Sequence, residues 1–115
     1  MTDHELIEFA AKAAGIDVHY SDNWGDFSVG EPYSRDECRW NPLTDDGDAL
    51  RLAAKLDIET GRALGNDWWA KHYASPNVFR ESIERPDGSQ DPSAAIRRAI
   101  VRAAANIGGN TNLST

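Results

Sequence analysis

Trp40-Asn41-Pro42-Leu43-Thr44-Asp45-Asp46-Gly47-Asp48-Ala49-Leu50-Arg51-Leu52-Ala53-Ala54-Lys55-Leu56 joins a turn, an acidic helix start and an amphipathic helix in one run. Asn41 precedes a proline, which pushes it out of the helical region into an extended or turn conformation. Thr44 or Asp45 then stands where a side-chain oxygen accepts the unpaired N–H groups of a first helical turn. Asp46 and Asp48 add negative charge at the positive end of the helix dipole. Ala49, Leu52, Ala53 and Leu56 fall on one stripe with Leu50 at its edge, while Arg51 and Lys55 face away. Trp40, directly ahead of the turn, is expected in the core beside the helix start. The three aspartates around Gly47 also suggest a calcium loop. Such a loop needs further ligands at fixed offsets and a bidentate Glu, and Ala49 to Leu56 supplies none.

Working outward, Thr2 and Glu5 have capping-box spacing, and Leu6, Ile7, Phe9, Ala10, Ala13 and Ala14 recur at helical intervals until Gly15 stops them. Ile16, Val18 and Tyr20 alternate with polar residues as in a half-buried strand, Asp22 to Asp26 reads as a turn, and Phe27-Ser28-Val29 returns as a second short strand. Gly30, Pro32 and Ser34 then break regularity. Beyond the central helix, segments 58–64, 68–74 and 78–83 are rich in β-forming residues and separated by Gly65-Asn66 and Ser75-Pro76-Asn77, which predicts successive antiparallel strands. Asp91-Pro92 places a cap before a proline at a first helical position. Ile96, Ala99, Ile100, Ala103, Ala104 and Ile107 supply that helix's buried face, with Arg97, Arg98 and Arg102 largely outside it, and Gly108-Gly109 is expected to end it. The pattern predicts one α+β domain over residues 1–108, in which an antiparallel sheet of about three to five strands packs with three helices. A three-layer sandwich is one such arrangement. A flexible C-terminal tail, 109–115, would follow.

The chain's 115 residues suffice for one core without metal or disulfide staples. Cys38 is the single cysteine, unable to bridge internally, which fits an ordinary thiol in a reducing compartment. The acidic N-terminal turns do not read as an export signal, and no apolar run approaches the roughly 20 residues that cross a bilayer. The net charge of −7 lies between Asp17 and Asp48, where nine acids face two bases. An acidic surface repels phosphate, so direct nucleic-acid binding is not expected, nor is a membrane partner.

Catalytic motifs are missing. Neither a Gly-rich phosphate cradle nor a serine elbow occurs, and His4, His19 and His72 lie far apart, outside any metal-ligand spacing. If His19 and His72 both lie on strands they could meet on one face of the sheet, the single arrangement from which an acid–base site could be built. No cofactor, metal site or catalytic residue is expected. Of four tryptophans, Trp40 and one of Trp68 and Trp69 are expected in the core. Strand alternation sends Trp68 and Trp69 to opposite faces, so that if one packs inward the other is left for a helix, a partner or water, and Trp68, Trp69, His72 and Tyr73 are the candidate binding residues.

Two segments, Trp40 to Ala53 and Ala95-Ile96-Arg97-Arg98-Ala99-Ile100-Val101-Arg102-Ala103-Ala104, resemble the small tailed-phage and prophage proteins grouped as the phage ABA sandwich domain, over a span from Leu6 to Ile107. The resemblance implies a sheet covered by helices and a phage-borne gene. It transfers no activity to any residue. The function expected from these readings is a non-enzymatic accessory module that binds a bacterial or phage protein in the host cytoplasm. A small-molecule or nucleotide pocket built from Trp68, His72 and one of Arg97, Arg98 or Arg102 is the alternative, and enzymatic use of it stays open. A further alternative is nucleic-acid mimicry by the acidic segment 17–48.

Overall fold

The computed structural model describes residues 1–22 and 24–113. Helix α1 (Asp3–Ala14) opens with the expected capping box: the Thr2 hydroxyl accepts the Glu5 N–H, and the Glu5 carboxylate accepts the Thr2 N–H. It closes on Gly15, whose left-handed backbone lets its N–H reach the carbonyls of Ala11 and Lys12. Strands β1 (Val18–Ser21) and β2 (Asp26–Val29) form a hairpin, and a two-residue strand β3 (Cys38–Arg39) adds to β2. The turn joining β1 and β2 contains Asn23, which lies outside the described residues.

The run from Trp40 to Leu56 is the junction of the molecule. Trp40 is buried, its N–H bonds the Phe27 carbonyl of β2, and Pro42 is fully buried behind it. Asn41 uses its side chain twice, donating to Asp26 and accepting the Leu43 N–H. Helix α2 (Asp46–Leu56) starts at Asp45, not Thr44, because the Asp45 carboxylate takes the Asp48 N–H at 2.8 Å. Asp48 is itself buried and reaches back to the Asn41 N–H, so the acidic start holds the turn as well as the helix. The helix ends on Asp57 in a left-handed conformation, which short polar side chains tolerate.

Strands β4 (Ile58–Arg62), β5 (Asp67–His72) and β6 (Phe79–Ser82) form a second antiparallel sheet in that order. The fold is therefore α+β, with antiparallel strands packed against three helices and divided between two three-stranded sheets. Helix α3 (Pro92–Leu113) is the central element, in contact with both other helices and with all three strands of the second sheet. Its burial exceeds the expected single face: Ala95, Val101 and Ala105 are buried in addition to Ala99, Ile100, Ala103 and Ala104, as a helix enclosed from several sides requires.

Helix α3 does not stop at Gly108-Gly109 but runs through both to Leu113, which corrects the expected helix end. Gly108 is a packing residue: a Cβ there would collide with the Phe9 backbone of α1, so the missing side chain is what lets the two helices approach. Residues 114 and 115 of the expected tail lie outside the described residues.

Candidate functional site

Register assigns the faces of the second sheet. Ile58, Thr60 and Arg62 pair with His72, Ala70 and Trp68, and the fully buried Ala70 marks this as the helix side. Trp69, Lys71 and Tyr73 therefore project from the opposite face, together with Glu59 and Arg80. The four candidate residues divide accordingly, with Trp68 and His72 on the helix side and Trp69 and Tyr73 on the other. The rings of His72 and Tyr73 still approach to 4.8 Å between centroids at the strand end.

Neither Trp68 nor Trp69 is buried, against the expectation that one would join the core; both are half-exposed. The sheet supplies the reason. Trp68 stands between the charged residues Arg62 and Glu81 on neighbouring strands. Trp69 lies over Gly61, whose hydrogen leaves room for the indole where a Cβ would strike it. The outer face is thus not the buried layer of a sandwich.

Two adjoining clefts lie along α2. One, of about 410 Å³, runs between α2 and α3 and is lined by Ala49, Leu50, Ala53, Ile58, Thr60, Ile96 and Ile100, with Asp46 and Arg97 at its polar end. The other, of about 540 Å³, shares Ala53, Ala54 and Ile58 and extends past Asp57 and Glu59 to Tyr73. Leu50, 69% exposed, and Tyr73, 61% exposed, border this surface. Sequence periodicity placed Leu50 at the edge of its stripe, but an edge looks the same whether it is rimmed by solvent or by a cleft.

The three arginines of α3 are bound into the fold. Arg97 donates to the Leu43 carbonyl and to Asp46, joining α3 to the start of α2. Arg98 and Arg102 both hold Glu81 of β6, and Arg98 also reaches Asp3. Trp68 and His72 line neither of the two clefts, so the arrangement required for the small-molecule alternative is not assembled in them. Five of the nine acids in segment 17–48 are likewise engaged: Asp26, Glu37, Asp45, Asp46 and Asp48 all accept hydrogen bonds within the fold. They serve as caps, turn acceptors and ion-pair partners inside the fold.

A cluster that sequence reasoning missed sits on the first sheet. His19 and Ser28 are cross-strand partners, and the Glu37 carboxylate meets both, 2.7 Å from His19 Nε2 and 3.0 Å from Ser28 Oγ. Ser28 Oγ is also 2.8 Å from that same nitrogen. A nucleophilic relay needs the carboxylate on the other ring nitrogen, and it needs a reachable hydroxyl. Ser28 is fully buried, so this is a clasp that pins the loop before β3 onto the sheet. His19 and Ser28 were legible as partners from the hairpin pattern, whereas Glu37 lay in the irregular stretch. His72 is on the other sheet, so the single arrangement from which an acid–base pair with His19 could be built is not formed. Among the described residues, no three His, Cys, Asp or Glu side chains group as metal ligands.

The hydrogen bond from His19 holds the Glu37 carboxyl below the usual carboxylate range, assisted by Tyr33 N–H and Ser28. A carboxyl depressed in the folded state stabilises above its unfolded value, about 4.3, and that contribution disappears as pH falls through the folded value. Urea unfolding of the Glu37→Gln variant should show a flatter loss of stability below about pH 4.3 than the parent chain. Equal acid slopes would show that the clasp is not coupled to folding.

No family model, curated protein or solved structure matches this chain.

Proposed function

We propose that this protein is a non-enzymatic protein-binding module of phage or prophage origin, acting in the bacterial host cytoplasm through the α2 side of the second sheet. The observation that carries the reading is Leu50, a large apolar side chain left 69% exposed at the mouth of an alanine- and isoleucine-lined cleft. Single exposed leucines are common and need no explanation. Leu50 differs in bordering a concave apolar surface, with Tyr73 at the far end of the adjoining cleft, and such continuous surfaces are where partners dock. The phage origin rests on the resemblance of segments 40–53 and 95–104.

No helix among the described residues is long and apolar enough to cross a membrane. The test is a comparison of two baits, the parent chain and its Leu50→Asp variant, against a bacterial lysate and a phage-infected lysate. Because Leu50 makes little of the core, the variant should fold with unchanged circular dichroism. It should lose the partner that the parent retains, by at least about tenfold. Equal retention by both baits, or no specific retention by the parent, would overturn the reading.

A further inference from the structure

The second sheet presents an unpaired edge along β4, directly beside the cleft. In the β4–β5 ladder the Tyr73 N–H bonds the Asp57 carbonyl and the Ala63 N–H bonds the Asp67 carbonyl. Hydrogen bonding in an antiparallel pair alternates. The odd-numbered residues of β4 therefore turn their backbone groups toward β5, and Ile58, Thr60 and Arg62 turn theirs outward. No other part of the described chain takes up those N–H and C=O groups. The opposite edge differs, since Arg102 caps the outward carbonyl of Arg80 on β6. Strand β4 has neither proline nor bulge to blunt this edge, and its charges are Glu59 and Arg62.

We propose that β4 receives an added strand, an extended segment of another protein in which apolar and basic residues alternate. The proposal rests on the protein-binding reading above and specifies its mode and partner. Antiparallel addition places three residues of the incoming strand opposite Arg62, Thr60 and Ile58, each pair exchanging backbone bonds at the free edge. Side chains opposite Thr60 and Ile58 share the face of those two residues, which line the cleft between α2 and α3. That position selects apolar, β-branched side chains. The intervening residues stand opposite Gly61 and Glu59, and the residue beyond the partner of Ile58 meets Asp57 at the helix cap where the strand begins; Glu59 and Asp57 are exposed and neither is in an ion pair among the described residues. Lys71 is the cross-strand neighbour of Glu59 but does not pair with it. Those two carboxylates select lysine or arginine. Arg97, the base inside the cleft, is already held by Asp46 and cannot repel the newcomer.

The test uses a fluorescent peptide, Ser-Thr-Val-Lys-Val-Lys, and its acidic counterpart, Ser-Thr-Val-Glu-Val-Glu, titrated with the full chain. The expected result is saturable anisotropy for the basic peptide and a binding constant at least about tenfold weaker for the acidic one. Thr60→Pro removes an N–H that the native ladder does not use and is tolerated on an edge. It should therefore leave the circular dichroism unchanged while weakening the basic peptide by about tenfold or more. Glu59→Lys should invert the preference between the two peptides. Failure of the basic peptide to bind, equal binding of both, or indifference to Thr60→Pro would overturn strand addition. If Leu50→Asp still releases a captured partner in that case, the protein-binding reading stands and only its mode is lost. A concentration-dependent dimer in sedimentation, abolished by Thr60→Pro and accompanied by no peptide binding, would assign the edge to a second copy of this chain and overturn the proposal.

Discussion

Trp40→Ala is expected to destabilise the fold by about 3 to 5 kcal/mol, the range for emptying a large buried aromatic site. Trp40 is 7% exposed and belongs to the buried cluster that includes Phe27, Leu52 and Ile100. Its backbone bond to Phe27 survives the substitution, so the loss reports the indole alone. Domains of this size are stable by only about 5 to 15 kcal/mol, so a large part of the total is at stake. Equilibrium urea unfolding measures it directly. A loss below about 1 kcal/mol would mean that the site collapses around the alanine or that the indole is not enclosed.

Two neighbouring glycines of α3 should respond to the same change with opposite sign. Glycine to alanine in a helix ordinarily stabilises by roughly 0.5 to 1 kcal/mol, because alanine loses less backbone entropy. At Gly109, where a Cβ meets nothing, Gly109→Ala should show that gain. At Gly108 the Cβ meets the backbone of Phe9, which cannot turn away as a flexible side chain can. Gly108→Ala must push α1 and α3 apart, and overpacking of this kind costs about 1 to 3 kcal/mol or more. Thermal unfolding of both variants beside the parent chain gives the two signs in one experiment. A stabilised Gly108→Ala would contradict the close approach of the helices at this point.

Much of the architecture was legible because it is local. Capping at Thr2 and Asp45, the stop at Gly15, the proline that begins α3, and the β-forming residues and turn separators of β4 and β5 are decided by neighbours within a few residues, and side-chain chemistry records them. The short strand β3 was not legible, because two residues carry no period and Cys38 and Arg39 are both exposed. Glycine pairs read as a helix stop, yet Gly108 serves a contact with a helix almost the whole chain away in sequence. The tryptophan pair misled in the same manner. Size and apolarity favour burial, but Trp69 finds its seat on a glycine of the adjacent strand at the outer face.

The candidate site shows the same division. Leu50 was visible as the edge of an apolar stripe, and Trp69, His72 and Tyr73 as an unusual run, but nothing local distinguishes a residue at a cleft mouth from one in open solvent. The cleft is lined jointly by α2, β4 and α3, and the free edge exists because β4 is the first strand of its own sheet.

By itself the sequence determined the α+β class, the order and approximate bounds of the main elements, and the role of Trp40 to Asp48 as an anchored helix start. These follow from period, capping and turn chemistry, which act over a few residues. Only the tertiary structure decided that the strands divide into two sheets, that α3 is enclosed on several sides, and which carboxylates are consumed by the fold and which stay available at the β4 edge. Those outcomes depend on packing between segments distant in the chain, and short-range chemistry carries no record of such distances.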